Sequence, residues 1–169
     1  MVIEMFNYNK GIKNMNDLSE GYMIKEDHLY AIVDILKIKQ FICDFLELNH
    51  NEDFTLNLSY GLKTYQLTGL NKAMLDAFFS MNRDILIHDG TVSFSLSTNQ
   101  DHFKISNNEL YFYSGYYVKK YRKLLEKYHI RKVNQLNYKP QYISSYCFKD
   151  GNSIIDIIET LKMIGMKEI

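Results

Sequence analysis

Proline is almost absent from this sequence. Pro140 is the single proline among 169 residues, and no stretch combines glycine, serine and proline in the way that flexible linkers do. Hydrophobic residues make up 46% of the chain and charged residues 24%, which are ordinary values for a folded globular protein and argue against intrinsic disorder. We therefore predict a single globular domain over residues 1–169, without a linker.

Long hydrophobic runs are also lacking. No apolar stretch approaches the roughly 18 residues that a membrane-spanning helix needs. The first six residues include an early acid, Glu4, and do not show the basic and then apolar pattern of a secretory signal. We therefore expect a cytoplasmic protein with no membrane partner.

Cysteine is scarce, since Cys43 and Cys147 are the only two and lie far apart in the sequence. Secreted domains of this size often contain more cysteines and pair them in disulfides. Cys43 falls in a helical pattern and Cys147 in a strand-like one. We expect both thiols to be reduced and buried.

Motifs that carry chemistry are absent. The sequence has no glycine-rich dinucleotide or phosphate loop, no His-Glu-x-x-His, no Cys-x-x-Cys and no Gly-x-Ser-x-Gly. The pairs His88-Asp89 and Asp101-His102 would approach one rim if their hairpins were neighbours, but a turn aspartate and solvated histidines explain them more simply. The sequence predicts no catalytic residue, no cofactor and no metal ligand, while an enzyme of unfamiliar type stays an open alternative.

Periodicity indicates the first half of the fold. Residues 2–8 suggest an edge strand and 9–24 a loop. Apolar residues at three- and four-residue steps predict a broad helix over 27–48, capped by Asp27. Alternation over residues 54–60 predicts a half-buried strand, with a return strand after it. A helix over 71–82 should follow, with an apolar face formed by Ala73, Met74, Ala77, Phe78 and Met81.

Turn residues indicate the second half. Asp89-Gly90 favours a type I′ hairpin over 85–96, because both central residues of that turn need positive φ. Asn107-Asn108 predicts a second hairpin over 102–113. A helix over 115–129 and a strand over 142–148 should follow. The last helix should start at a capping-box-like Ser153-Ile154-Ile155-Asp156.

The predicted order of elements determines the fold class. Successive hairpins favour an antiparallel sheet, and the helices between them must bury their apolar faces on it. The regular βα spacing of a doubly wound parallel sheet is absent. We therefore predict an α+β domain whose antiparallel sheet is built from hairpins, with the helices packed on one face.

Charge is unevenly distributed although the net charge is zero. Residues 104–139 hold nine Lys/Arg against two acids, whereas residues 1–53 hold ten acids against five lysines. Basic residues alternate with tyrosines in segment 111–132, a pattern that can hold a nucleic-acid backbone while rings stack on bases. The simpler interpretation is a solvated basic helix face. The candidate partner-binding residues of this region are Tyr116, Tyr117, Lys119, Lys120, Arg122 and Lys123.

The acidic region supplies a second set of candidates, which are Asp44, Glu47, Glu52 and Asp53. Acidic surfaces of this kind engage basic partners such as nucleases and other nucleic-acid enzymes, and complementary charge speeds the encounter. Again, a solvated helix face explains the same residues. The neutral overall charge argues against a dedicated nucleic-acid-binding domain, which is usually clearly basic.

Composition indicates the origin. Lys, Asn, Ile, Tyr and Phe supply 74 of 169 residues, whereas Ala, Gly, Pro and Arg supply 15, as in AT-rich bacterial or phage genomes. We predict a small cytoplasmic protein-binding protein that acts by occluding a partner's surface. A toxin-immunity protein or a phage- or plasmid-encoded inhibitor of a host defence enzyme fits this description. Nucleic-acid binding through segment 111–132 is the alternative.

Overall fold

The computed structural model describes residues 10–11, 19–136, 142–143 and 153–169. In chain order, the described elements are β1 (Lys10–Gly11), β2 (Gly21–Lys25), β3 (His28–Ile32), α1 (Ile35–Leu48), β4 (Phe54–Tyr60), β5 (Lys63–Leu70), α2 (Lys72–His88), β6 (Val92–Ser97), β7 (Asp101–Ser106), β8 (Glu109–Ser114), α3 (Lys119–Lys127), β9 (Tyr142–Ile143), α4 (Ile154–Met163) and β10 (Lys167–Glu168).

An antiparallel sheet of eight strands dominates the structure. Its spatial order is β10-β5-β4-β6-β7-β8-β3-β2, while β1 and β9 pair with each other in a separate two-stranded ladder. Four neighbouring pairs in the large sheet are hairpins, joining β2 to β3, β4 to β5, β6 to β7 and β7 to β8. This architecture confirms the predicted α+β class and its hairpin-built antiparallel sheet.

All four described helices pack on one face of this sheet. Side chains in register across five strands form the inner surface, namely Leu56, Leu96, Phe103, Phe112 and Leu29. Each helix contributes to the same buried cluster, with Phe45 from α1, Phe79 from α2, Tyr121 from α3 and Ile158 from α4. The opposite face of the sheet carries the alternate side chains, which are mostly polar. None of the described helices combines the length and the hydrophobicity that a bilayer crossing requires.

The predicted helix over 27–48 is wrong in its first turns. His28–Ile32 forms strand β3, and α1 begins at Ile35, where the Asp34 carboxylate accepts a 2.9 Å hydrogen bond from the Leu36 amide. Strand β3 is hydrogen-bonded on both sides, to β2 and β8. That pairing outweighs the local helical pattern. Strand β1 and all but the last residue of β2 likewise lie inside the segment 9–24 predicted as a loop.

The predicted hairpin over 85–96 is also wrong in its first half. Residues Ile85–Ile87 belong to the last turn of α2 and are buried, so a continuous apolar run came from a helix end rather than a strand. Asp89 has φ −75°, whereas a type I′ turn requires a positive value. Its carboxylate accepts hydrogen bonds from the Thr91 amide and hydroxyl, at 2.8 and 2.6 Å. This turn leads directly into β6.

Helix α2 faces the core with a different side from the one predicted. The structure buries Leu75 and Phe79, whereas Met74 and Met81 are 53% and 76% exposed. The helix carries apolar residues on two sides. It continues to residue 88, and the buried residues Ile85–Ile87 of this extension lie in the core together with Leu75 and Phe79. Its N-cap is Asn71, whose side chain accepts a 2.9 Å hydrogen bond from the Met74 amide.

Other local predictions are confirmed. The hairpin at Asn107-Asn108 joins β7 to β8, and Asn107 has φ 54°. Helix α4 begins with a capping box, in which the Ser153 amide donates to the Asp156 carboxylate at 2.7 Å. The predicted strand over 2–8 and most of that over 142–148 lie outside the described residues. Cys147 also does, whereas Cys43 is exposed, which corrects the expectation that it is buried.

Candidate functional site

Three of the predicted partner-binding residues meet at one cleft. Glu52, Tyr116 and Lys120 come from both charged regions of the sequence, and they line a cavity of about 370 Å³ at one end of the sheet. The other lining residues are Leu48, Asn49, His50, Asn51, Thr98, Gln100 and Asp101. We call this cavity the Asp101 cleft. It brings together the loop after α1, the β6–β7 turn and the segment between β8 and α3.

The floor of the cleft is a buried carboxylate. Asp101 is 2% exposed and forms an ion pair with Lys120. It also accepts hydrogen bonds from the Ser114 hydroxyl, at 2.6 Å, and from the Tyr121 phenol. Its amide donates to the Thr98 hydroxyl at 3.1 Å. A buried charge needs partners of this kind to offset the loss of hydration.

Asn49 extends this network to helix α1. Its side-chain amide donates to the Phe45 carbonyl oxygen at 2.9 Å and to the Tyr121 phenol oxygen at 3.1 Å. The Tyr121 ring stacks on Phe112 with centroids 4.7 Å apart, and on Phe45 with centroids 5.7 Å apart. Burial and the hydrogen bond to Asp101 raise the pKa of Tyr121 well above its usual range. The phenol therefore stays protonated and remains a donor.

Main-chain amides of the segment between β8 and α3 donate hydrogen bonds that hold the rim of the cleft in place. The Ser114 hydroxyl accepts bonds from the amides of Tyr116 and Tyr117, at 3.3 and 3.0 Å. The Gly115 amide donates to the Gln100 carbonyl oxygen at 2.8 Å. Tyr116 is nevertheless 86% exposed and Tyr117 is 44% exposed. Two tyrosine side chains are therefore exposed to solvent, while hydrogen bonds to Ser114 and Gln100 hold the backbone of their segment.

The remaining basic candidates lie on α3 and differ in their surroundings. Arg122 lies 3.7 Å from the carboxylate of Glu126, one turn further along the same helix. Lys119 and Lys123 are exposed, and neither forms an ion pair within the described part of the chain. Lys120 forms an ion pair with Asp101. The predicted basic face is therefore partly neutralised by acids of the same chain.

The remaining acidic candidates do not form one patch. Asp44 accepts a hydrogen bond from the Tyr128 phenol and lies 3.8 Å from Lys127. Burial and this hydrogen bond raise the pKa of Tyr128 to about 12. Glu47 lies 3.5 Å from Lys72 of α2, and Asp53 is exposed but does not line the cleft. Only Glu52 of this set belongs to the Asp101 cleft.

The polar side chains beneath the cleft bond to one another. Asp101 is engaged by three side chains, so its carboxylate oxygens already have partners within the protein. Among the described residues, no group of three or more His, Cys, Asp or Glu side chains is placed to hold a metal ion. The buried network fixes the geometry of the segment that bears the exposed tyrosines.

Sequence reasoning missed the centre of this site. Asp101 was considered only with its neighbour His102, which points to the opposite face of the sheet, and Asn49 was not considered at all. One signal was available, namely that Asp101 and Ser114 directly flank the two ends of the hairpin predicted over 102–113. No protein-family model, no curated protein and no solved structure matches this chain.

Proposed function

We propose that this chain is a small cytoplasmic protein-binding protein that acts by occluding a partner's surface with the rim of the Asp101 cleft. The single observation that carries the proposal is the exposure of Tyr116 on a backbone fixed by Ser114 and Gln100. Exposed tyrosines are enriched at binding hot spots. A rim that is ordered before binding also loses less conformational entropy when a partner docks.

The surroundings of Tyr116 support an interface. Leu48, which is 46% exposed, lines the same cleft and adds apolar area. Glu52 lines the cleft, and the exposed Lys119 and Lys123 lie on α3 beside Lys120, which also lines it, so charges of both signs accompany the aromatic and apolar groups. An apolar and aromatic centre with a charged rim is the usual anatomy of a protein–protein interface.

The proposed mode of action, occlusion of a partner's surface, indicates which classes of partner to expect. A toxin-immunity protein or a phage- or plasmid-encoded inhibitor of a host defence enzyme would act by occlusion and would need no catalytic group of its own. A nuclease or another nucleic-acid enzyme is the proposed partner, since acidic residues such as Glu52 complement basic surfaces of that kind.

Nucleic-acid binding through segment 111–132 is less well supported. Affinity for phosphates depends on unpaired lysines and arginines that release counterions. On α3, Lys120, Arg122 and Lys127 each lie within 4 Å of an acid of the same chain. Three cations of the predicted binding helix are therefore already neutralised in part.

The test is affinity capture from the native host with matched variants. Wild-type protein and Tyr30→Ala, a tyrosine substitution on another surface, should retain the same stoichiometric protein partner after nuclease treatment. Tyr116→Ala should lose it while keeping the wild-type circular dichroism spectrum. Equal recovery with Tyr116→Ala, or recovery of nucleic acid alone, would overturn the proposal.

A further inference from the structure

The sheet face opposite the helices carries a cluster of five aromatic rings. It lies on the neighbouring strands β3, β8 and β7, and its members are His28, Tyr30, His102, Tyr111 and Tyr113. We call it the open-face ring cluster. Further along the same face, the alternate side chains of β6 and β4 are small and polar, such as Ser95 and Asn57. Aromatic side chains are therefore concentrated at one end of an otherwise polar surface.

Contacts within the cluster hold its tyrosines in place. The His28 ring stacks on Tyr111 with centroids 5.7 Å apart and on Tyr30 with centroids 6.4 Å apart. His28 Nδ1 and the Tyr111 hydroxyl share a 2.7 Å hydrogen bond. Tyr30 and Tyr111 lie 5.3 Å apart, centroid to centroid, with their planes tilted by 47°. Two ordered phenol rings are thus supported by an imidazole.

Beside these rings lies a groove of about 680 Å³, within the range of small-molecule sites. Tyr30 and Tyr111 line it, as do Lys104, His102 and Leu136, whereas His28 is not among its lining residues. Leu136 follows a segment that is anchored to the edge strand, since the Val133 amide donates to the Tyr22 carbonyl oxygen at 2.9 Å. We call this cavity the open-face groove. Its lining combines aromatic rings, aliphatic side chains and polar groups.

The groove carries one basic and one acidic side chain, Lys104 and Glu109. Lys104 is exposed and forms no ion pair within the described part of the chain. Burial and the neighbouring Lys104 lower the pKa of His102, so its imidazole is neutral at physiological pH. Glu109 also lines the groove and supplies a hydrogen-bond acceptor. A lysine outside salt-bridge distance of any described acid therefore lies in the same groove as two aromatic rings, and the Glu109 carboxyl, on which Lys104 acts electrostatically, supplies an acceptor.

We infer that the open-face groove binds a small ligand that joins a flat heteroaromatic ring to one acidic group, with the size and chemistry of a nucleoside monophosphate. The ring would stack on Tyr30 or Tyr111, and the phosphate would pair with Lys104. Hydroxyl or amino groups of the ligand would donate to Glu109. A simple anion would make no contact with the aromatic rings of the groove. An apolar ligand would remove water from the Lys104 ammonium group without offering it an anionic partner.

The experiment is calorimetric titration of the full chain with adenosine 5′-monophosphate, compared with adenosine and with ribose 5-phosphate. Binding of the nucleotide should be at least about tenfold tighter than binding of either half, because stacking and charge pairing contribute together. Lys104→Gln should weaken nucleotide binding by about tenfold or more, as expected for the loss of a hydrogen bond to a charged group. Tyr30→Leu should weaken it as well.

Tyr117→Ala is the matched control, since Tyr117 is as exposed as Tyr30 but does not line the open-face groove. It should bind the nucleotide as the wild type does. The inference is wrong if the nucleotide does not bind, if ribose 5-phosphate binds equally well, or if Lys104→Gln and Tyr30→Leu bind like the wild type. It is also wrong if a single-stranded oligonucleotide binds and the mononucleotide does not.

Discussion

Tyr121 of α3 donates a hydrogen bond from its phenol to the carboxylate of Asp101, the first residue of β7. Both residues are buried, at 0% and 2% exposure. The bond joins a helix to the sheet at the point where the segment bearing Tyr116 and Tyr117 leaves β8. Stability and the geometry of the proposed binding rim therefore depend on the same pair of side chains.

Replacing Asp101 with alanine should be strongly destabilising. Lys120 would lose its carboxylate, and the hydroxyls of Ser114 and Tyr121 would lose their shared acceptor. Removing one member of a buried ion pair typically lowers the free energy of unfolding by about 3–5 kcal/mol. Urea denaturation would measure this. Glu52→Ala, an exposed acid at the same cleft, should change stability by no more than about 0.5 kcal/mol. Similar values for the two variants would contradict the role of Asp101.

Two substitutions on α2 test which face of this helix is buried. Phe79 lies in the core against Phe94, with ring centroids 5.6 Å apart, so Phe79→Ala should cost about 3–5 kcal/mol. Met81 is largely exposed, and Met81→Ala should change the free energy of unfolding by less than about 0.5 kcal/mol. Chemical denaturation of both variants measures the difference. The reverse order of effects would support the face predicted from the sequence.

Two tyrosines should make stability sensitive to alkaline pH. Burial and a hydrogen bond to a carboxylate raise the pKa of Tyr22 and that of Tyr128 from 10.0 to about 12. The carboxylates are Glu126 and Asp44 respectively. Because the folded pKa exceeds the unfolded one, this stabilisation is complete below pH 10 and is lost as pH rises towards 12.

The measurement is the free energy of unfolding as a function of pH for the wild type, Tyr22→Phe and Tyr128→Phe. Each variant should lose less stability than the wild type between about pH 10 and 12, because one titrating phenol is gone. Lysines titrate over the same range in all three proteins, so the comparison isolates the tyrosine contribution. Identical slopes would show that these phenols ionise in the folded protein as they do in the unfolded chain.

Local chemistry made part of the fold predictable. Alternation of apolar and polar residues identified the strand at Phe54–Tyr60, Asn107-Asn108 identified a hairpin, and Ser153 with Asp156 identified a helix start. Each signal depends on side chains within a few residues of each other. Failures occurred where tertiary contacts decide. The segment His28–Ile32 is a strand because two neighbours pair with it, which no local pattern reveals.

The candidate site was predictable only in its surface residues. Charge and tyrosine content identified Tyr116, Lys120 and Glu52 separately, but their meeting at one cleft depends on the order of strands in the sheet. The central Asp101 draws its partners from β8 and α3. Because these partners are 13 to 20 residues away along the chain, sequence spacing did not identify it.

Once a partner is identified, substitutions at the rim should distinguish residues that make direct contacts with it from charges that only speed its association. Tyr116→Ala should weaken binding by about 2 kcal/mol or more, mainly through faster dissociation, because a solvent-exposed aromatic ring would become buried at the interface centre. Reversal of charge at Lys119 and Lys123 should mainly change the association rate and its dependence on salt, as rim charges do.

Lys120 is unsuitable for this test, since its replacement would leave Asp101 buried without its cation. Surface plasmon resonance at two ionic strengths gives both rate constants. If Tyr116→Ala leaves dissociation unchanged while the double charge reversal abolishes binding at all salt concentrations, the partner docks on the exposed lysines of α3 instead of on the tyrosine rim.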